Sequence, residues 1–151
     1  MFAIESENLT RIYHVGGEEV RALNGLTMSL EKGDLAAVVG PSGSGKSTLM
    51  ALLGGLDTPT AGTVKVHGQL LNGMDPTDLA QYRRSMVGFV FQDFALFPHL
   101  NVIDNVAFGL TEGGQAERRA AALQVLDRVG MARFARTFPH ELSGGEQQRV
   151  A

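Results

Sequence analysis

The first third of the chain shows the hydrophobic spacing of β-structure. Residues 2–13 form short strand material with a turn, and Gly16-Gly17 then breaks the chain. Over residues 20–30 apolar and polar positions alternate, and this period of two is typical of a half-solvated antiparallel strand. The same alternation at residues 63–67, after the turn-forming residues 57–62, predicts another edge-type strand.

Two further runs are apolar without a break, which is typical of strands buried on both faces of a sheet. They are residues 35–39 and 86–91, and the second run ends at Gln92. An antiparallel edge followed by a buried parallel strand indicates a mixed sheet.

Four segments are predicted to be helices from their ends and their apolar spacing. Residues 48–53 lead up to Gly54-Gly55, a fitting stop. Asp75 is a good N-cap and Pro76 suits the first helical position, so a helix should run from there to about Arg84. Asn101 is able to cap a helix over residues 102–108. The fourth segment, residues 116–129, carries four apolar residues on one face and is followed by Gly130. Those four residues are Ala122, Leu123, Leu126 and Val129.

Composition limits the class of protein. The 151 residues are 44% hydrophobic and 19% charged, which suits one soluble domain with a core. The formal net charge of −3 provides no basic surface for wholesale nucleic-acid binding. The chain lacks a long apolar run and a basic-then-apolar leader, so no membrane-spanning segment or secretory signal is expected. Without cysteine there are no disulfides and no thiolate metal sites, and we expect a cytoplasmic protein.

The stretch with the clearest chemistry is Gly40-Pro41-Ser42-Gly43-Ser44-Gly45-Lys46-Ser47-Thr48. It fits the phosphate-loop pattern G-x-x-x-x-G-K-[S/T] and lies between a predicted strand and a predicted helix, as that motif requires. Its glycines expose consecutive N–H groups to an anion, and the helix directs its positive end at the same anion. Lys46 is then expected to reach the β- and γ-phosphates of a nucleotide, and Ser47 to bind Mg²⁺. The alternative is a glycine-rich turn between strand and helix.

A second glycine-rich motif, Leu142-Ser143-Gly144-Gly145-Glu146-Gln147-Gln148-Arg149, opens another predicted helix. Ser143 and Glu146 have the S-x-x-E spacing of a capping box. Taken alone, the motif is explained by a helix cap or by close backbone approach to a ligand.

The phosphate loop, the strand ending in Gln92 and the Leu-Ser-Gly-Gly-x-x-x-Arg signature occur in an order that resembles the ATPase domain of ATP-binding cassette (ABC) proteins. The resemblance covers the entire chain. Residues 16–23 and 53–62 are similar to the ATPase subunits that power lipoprotein release and macrolide export. The resemblance implies an α/β fold, with a P-loop NTPase core and antiparallel β edge over about residues 1–92. A helical subdomain with the signature is implied over about residues 93–151.

The resemblance also implies roles for single residues in binding ATP and Mg²⁺. Tyr13 is expected to stack on adenine; otherwise it is an exposed strand tyrosine. Gln92 is expected to reach the metal and the attacking water; otherwise it is a polar strand end that faces solvent. Because the family's domains pair head to tail, four signature residues should meet the γ-phosphate of ATP held by a second copy. These are Ser143, Gly144, Gly145 and Glu146.

Residues 93–100 are unusually apolar for a loop. In the family this region faces the membrane-spanning permease subunit, where an exposed apolar patch is expected. Alternatively, Phe94, Leu96 and Phe97 pack inward under the helical subdomain. The implied function is an ATP-binding and ATP-hydrolysing transporter subunit, peripheral on the inner face of the cell membrane. The four histidines (His14, His67, His99 and His140) share no ligand spacing and are predicted to be surface or turn residues.

The family pattern continues past the signature with an acidic metal ligand, a catalytic glutamate and a switch histidine, whereas this chain stops at Ala151. The C-terminal half of the core is therefore expected to be absent, and the chain to bind nucleotide but hydrolyse it poorly. A binding-only module that senses nucleotide or docks a partner stays open. A cassette ATPase of DNA repair is disfavoured by the acidic balance and by the lack of a heptad run between the two motifs.

Overall fold

The structure, a computed structural model, describes residues 2–151. It contains two compact units, of which the first ends at Phe89 and the second covers residues 90–151. The boundary that the sequence suggests near residue 92, between a β-rich core and a helical subdomain, stays a prediction. Each unit is described in turn.

The first unit is built on a four-stranded antiparallel sheet of order β2-β1-β3-β4. Its strands are β1 (Phe2–Val15), β2 (Glu18–Glu31), β3 (Ala61–Val66) and β4 (Gln69–Leu70). Strands β1 and β2 form a long hairpin. Its turn is Gly16-Gly17, with φ of 61° and 87°, the left-handed values that a tight two-residue hairpin turn requires. The predicted break at Gly16-Gly17 is confirmed, whereas the turn predicted within residues 2–13 was wrong, because β1 is one strand from Phe2 to Val15.

Strand β3 is an interior strand, so the prediction of an edge strand was wrong. It lies between β1 and the two-residue β4. Beyond β4, the side-chain oxygen of Asn72 accepts a hydrogen bond from the N–H of Val64 at 2.9 Å, and its amide donates to the carbonyl of Gly62 at 2.9 Å. A period of two reports which face of a strand is buried and not how many neighbours the strand has.

Two helices complete the first unit: α1 (Lys46–Leu53) and α2 (Pro76–Met86). As predicted, Asp75 caps α2, with its carboxylate accepting from two backbone N–H groups of the first turn. The core joins Leu49 and Leu52 of α1 to Leu9 and Val64 of the sheet. Tyr82 of α2 is buried in the same core, and its hydroxyl donates to the carbonyl of Leu53 at 2.6 Å. The C-terminal end of α1 is therefore held by apolar packing against the sheet and by a hydrogen bond from α2.

Neither continuous apolar run forms a strand in the described part of the chain, so both predictions were wrong. Within residues 35–39, Leu35 is fully exposed and Val39 is 86% exposed. In the second run, Met86 ends α2 and residues 87–91 follow outside the sheet. An unbroken apolar run signals a tendency to be buried, but a strand exists only where a neighbour supplies ladder hydrogen bonds. None of the four strands pairs with either run.

The second unit consists of helices α3 (Val102–Gly109), α4 (Gln115–Arg128) and α5 (Gly144–Val150), with 3₁₀ turns at Ala132–Phe134 and Pro139–Glu141. Its core is formed by Val102, Leu126, Met131 and Leu142. Asn101 caps α3 as predicted, with its side-chain oxygen accepting from the N–H of Asp104 at 2.9 Å.

The apolar face of α4 is narrower than predicted. Ala122 and Leu126 are buried, whereas Leu123 is 43% exposed and Val129 is 38% exposed. Residues four apart lie along one line of a helix, while the next residue in sequence lies about 100° around it. The core of this unit contacts only the line through Ala122 and Leu126, so the prediction was wrong for Leu123 and Val129.

Candidate functional site

The phosphate-loop motif, residues 40–48, consists of a largely exposed loop up to Gly45 and the first three residues of α1. The Lys46 ammonium group donates to the carbonyls of Gly40 at 3.0 Å and Pro41 at 2.7 Å, and to the hydroxyl of Ser44 at 3.3 Å. The loop therefore curls around its own lysine. The positive charge lies where an anion bound in the loop would meet it.

Two glycines give the loop its shape. Gly43 and Gly45 have φ of 81° and 86°, values that side chains rarely tolerate. Gly45 also touches β2 so closely that an added Cβ would collide with the carbonyl oxygen of Ala22, while a Cβ at Gly43 would meet nothing. Directly after Gly45, the N–H groups in the first turn of α1 have no intrahelical acceptor and point towards the loop. Together with the helix dipole, they favour an anion at this position.

The contact between Gly45 and Ala22 also places Tyr13 near the phosphate loop. On the β1–β2 ladder, Arg11 pairs with Leu23 and Tyr13 pairs with Val20, so Ala22 lies between the two partner residues. The strand residue expected to contact the base is thus on the strand next to the one that the loop touches.

Tyr13 is held by two neighbours that the sequence did not single out as site residues. Its hydroxyl donates to Oδ2 of Asp57 at 2.7 Å. The Arg11 guanidinium lies over the Tyr13 ring, 4.5 Å from its centre, and binds both oxygens of the same carboxylate at 2.9 and 2.7 Å. Arg11 and Tyr13 are two apart on a strand and so share a face, which is the one sequence signal that pointed to this pair.

The contacts among these three side chains favour the charged forms of Asp57 and Arg11. Burial works to raise the pKa of Asp57, but the hydrogen bonds from Tyr13 and Thr58 and the positive charge of Arg11 outweigh it, so this pKa is lowered. Burial likewise opposes the charge on Arg11, and its contacts with Tyr13 and Asp57 nevertheless raise its pKa. The carboxylate and the guanidinium therefore stay ionised around the tyrosine at neutral pH.

The two expected metal-binding side chains lie in different units. Ser47 is exposed in the first turn of α1, where its hydroxyl oxygen is a ligand type that Mg²⁺ accepts. Gln92 is exposed in a turn of the second unit. Within residues 2–151 no group of three or more acidic, histidine or cysteine side chains is placed to hold a metal ion. All four histidines are exposed, as the sequence predicted.

The signature residues Ser143, Gly144, Gly145 and Glu146 open α5 in the second unit. The Glu146 carboxylate accepts from the Ser143 hydroxyl at 2.7 Å and from the Ser143 N–H at 2.8 Å. These two bonds lower the pKa of Glu146. One half of the predicted capping box is present, the bond from the Ser143 N–H to Glu146, whereas the N–H of Glu146 donates to the backbone carbonyl of Ser143 at 3.0 Å and not to its hydroxyl. The glycines that follow Ser143 are exposed.

The apolar residues 93–100 are divided between the two orientations that the sequence left open. Phe94 and Leu96 are half-buried. Phe97 is 38% exposed and packs against Phe108 of α3 with ring centres 4.6 Å apart, and Phe108 is itself 65% exposed.

Beside the Phe97–Phe108 pair lies an open groove between α3 and α4, with a volume of about 280 Å³. Leu100 and Phe108 line it together with Arg118 and Arg119, and Arg119 is held by Asp104 through bonds of 2.7 and 2.9 Å. The Nε of Arg118 is buried and has no hydrogen-bond partner among the described residues. In the same residues, no helix is long and apolar enough to cross a membrane.

The sequence of this chain is similar to a known protein family and to individual known proteins. Residues 23–151 match the family model described as ABC transporter. The lipoprotein-releasing system ATP-binding protein LolD of Psychrobacter arcticus is 44% identical, over 98% of this chain and 67% of that protein. The macrolide export ATP-binding/permease protein MacB of Hyphomonas neptunium is 45% identical, over 98% of this chain and 23% of that protein.

Solved structures agree with these sequence matches. The dimeric post-hydrolysis structure of the ATP-binding cassette MJ0796 with ADP and Pi has a TM-score of 0.89 at 38% identity, over 97% of this chain and 66% of that chain. A second dimeric structure of the same bacterial ABC transporter cassette gives the same values. The chain thus spans between about a quarter and two thirds of the length of these relatives.

Proposed function

Because this chain belongs to the ABC transporter family, as an ATP-binding subunit or domain of the LolD and MacB kind, we propose that it binds ATP with Mg²⁺ at residues 40–48. One observation carries the proposal. The Lys46 ammonium group is bonded to two carbonyls of the glycine-rich loop, at the N-terminal end of α1. An α-helix N-terminus and a lysine that converge on one loop form an anion site of the kind that binds nucleotide phosphates.

Binding of ATP exchanges contacts within this loop. The β- and γ-phosphates replace the carbonyls of Gly40 and Pro41 as acceptors for Lys46, and the first-turn N–H groups of α1 donate to the same phosphates. The Ser47 hydroxyl supplies an oxygen ligand to Mg²⁺, and the expected Gln92 ligand stays a prediction. The Tyr13 ring stacks on the adenine.

Calorimetric titration of the purified protein with ATP and Mg²⁺ tests the proposal. Since a charge-assisted hydrogen bond contributes about 1.5–3 kcal/mol, Lys46→Ala should weaken binding at least about tenfold. Lys65→Ala is the matched control, because Lys65 is exposed on β3 in the same unit. Equal affinity of Lys46→Ala and the unaltered protein would overturn the assignment of the loop.

Pairing of two copies is the second part of the proposal. Ser143, Gly144, Gly145 and Glu146 of one copy then contact the γ-phosphate held by the loop of the other. The solved MJ0796 cassettes, which are described as dimeric, support such pairing. The exposure of both motifs here is compatible with it. To donate to a phosphate, the Ser143 hydroxyl must leave the Glu146 carboxylate, which it contacts at 2.7 Å.

The third part concerns the whole transporter. The relatives are longer than this chain, and two of them are described as a lipoprotein-releasing system protein and a macrolide export protein. We propose that ATP hydrolysis, in which Gln92 orients the attacking water, drives transport through a permease on the inner face of the cell membrane. The exposed Phe97–Phe108 pair suits an apolar contact with that permease, and the groove beside it adds two charged side chains, Arg118 and Arg119. Release of phosphate from ATP, measured with the permease present, separates this function from nucleotide binding without turnover.

A further inference from the structure

Asp57 lies at the centre of a small polar group on the surface of the first unit, which we call the Arg11–Tyr13–Asp57 cluster. Its Oδ2 accepts from the Tyr13 hydroxyl and from Arg11 Nε, and its Oδ1 accepts from the second guanidinium nitrogen and from the N–H of Thr58. Every contact of the carboxylate is therefore with a donor. About a fifth of each of the Arg11 and Asp57 side chains is exposed.

The backbone on both sides of Asp57 is anchored. Its own N–H donates to the carbonyl of Ala51 in α1, and so does the N–H of Leu56. Three residues on, the N–H of Thr60 donates to Thr10 of β1, and the Thr60 hydroxyl accepts from the N–H of Ile12. The carboxylate is thus held between the helix that starts at the phosphate loop and the strand that carries Tyr13.

The cluster fixes the orientation of the tyrosine ring. The hydroxyl is tied to Asp57, and the guanidinium covers one face of the ring at 4.5 Å, so at most one face is left for another flat group. A partly exposed ion pair adds little to the stability of a fold, so stability is a weak explanation for four hydrogen bonds at one carboxylate. A ring that is fixed beforehand loses less conformational freedom when it stacks on a ligand.

We propose that Asp57 is a positioning residue for the purine base, because together with Arg11 it holds the Tyr13 ring with one face turned to the nucleotide at the phosphate loop. This inference rests on the proposed function, in which the loop binds ATP. It adds that the segment after α1 orients the ring that contacts the base, so that α1 has the phosphate loop at its start and the residue that positions Tyr13 just after its end.

The test compares two ligands that differ only in having a base. Affinities for Mg²⁺·ATP and for Mg²⁺·tripolyphosphate are measured by calorimetry on the purified protein and on Asp57→Asn. Whichever way the new amide is turned, its NH₂ faces a nitrogen of Arg11, which can only donate, so the cluster is broken. Loss of stacking on one base weakens affinity by at least about fivefold, since it is worth about 1–3 kcal/mol. We expect Asp57→Asn to weaken the affinity for Mg²⁺·ATP about tenfold and the affinity for Mg²⁺·tripolyphosphate by less than about twofold.

Three further variants complete the set: Asp75→Asn, Tyr13→Phe and Tyr13→Ala, the last of which removes the ring. Asp75→Asn is the matched control, since it removes one carboxylate from the same unit, and asparagine caps a helix as well as aspartate does. It should leave both affinities unchanged. Tyr13→Phe keeps the ring and loses the bond to Asp57, so it should show a smaller, ATP-specific loss that disappears when Asp57→Asn is already present.

The outcomes separate the inference from the proposed function. If Tyr13→Ala leaves the ratio of the two affinities unchanged, Tyr13 does not contact the base and the proposed stacking is wrong. If Tyr13→Ala lowers ATP affinity alone while Asp57→Asn does not, only the positioning role is overturned. If Asp57→Asn weakens the affinity for both ligands equally, Asp57 has a structural role and the positioning role is overturned as well.

Discussion

Replacing Gly45 by alanine probes how the phosphate loop is seated on the sheet. At this position the new Cβ would collide with the carbonyl oxygen of Ala22 and lie 3.0 Å from a methyl group of Leu23. The carbonyl belongs to β2, whose ladder with β1 leaves it little room to move. Gly43 has nearly the same φ, 81° against 86°, but open space around its Cβ position. The two variants therefore share the backbone strain and differ in the collision.

The expected magnitudes follow from that difference. A left-handed backbone costs a non-glycine residue about 1–2 kcal/mol, and the lower entropy of the unfolded alanine chain offsets about 0.4–1 kcal/mol of it. Gly43→Ala should therefore lower the free energy of unfolding by about 1 kcal/mol. Overpacking adds about 1–3 kcal/mol, so Gly45→Ala should cost about 2–4 kcal/mol in total.

Urea unfolding of the nucleotide-free protein, followed by the near-ultraviolet signal of tyrosine, measures both values. The chain has two tyrosines and no tryptophan, and Tyr13 and Tyr82 both lie in the first unit. The signal therefore reports on the unit that contains the loop. Equal unfolding midpoints for the two variants would show that the loop does not touch β2, and the placement of Tyr13 beside it would lose its support.

Two further predictions concern the second unit. Leu126→Ala should lower its free energy of unfolding by about 2–5 kcal/mol because Leu126 is buried, and Leu123→Ala should change it by less than about 0.5 kcal/mol. Far-ultraviolet circular dichroism in urea measures this, and equal losses would contradict the observed face of α4. The pKa of Glu146 is lowered by its bonds from Ser143, so the unfolded chain binds the proton more readily. The stabilisation from Glu146 should therefore be complete above the usual glutamate pKa and be lost as the pH falls through the lower, folded-state pKa. Glu146→Gln should flatten the profile below the usual glutamate pKa, and an unchanged slope there would argue against the bonds between Ser143 and Glu146.

The glycine-rich motifs and the helix caps could be predicted from the sequence because each is formed by residues close together in the chain. Glycines, a lysine and a serine at fixed spacing define the phosphate-loop motif, and Ser143 is bonded to Glu146 three residues on. The same holds for Asp75 and Asn101, whose caps form as predicted. Each of these features is made of groups a few residues apart, so tertiary packing has little to add.

The strand predictions were wrong where the outcome depends on a neighbouring segment that is far away along the chain. Residues 35–39 and 86–91 are apolar enough for buried strands, and no strand of the sheet pairs with them in the described part of the chain. Strand β3 looked like an edge because alternation does not reveal that β4 and Asn72 cover its outer side. For α4, apolar spacing gave a helix but not the line of residues that meets the core.

The sequence by itself determined the family and the helix caps at Asp75 and Asn101, since these follow from residue types at short spacing. Only the tertiary structure brought Asp57 to Tyr13 and Arg11, 44 and 46 residues away along the chain, and set Gly45 against β2. Contacts between residues so far apart depend on how α1 and the β1–β2 hairpin pack. Packing is a property of the whole unit, and no local pattern encodes it.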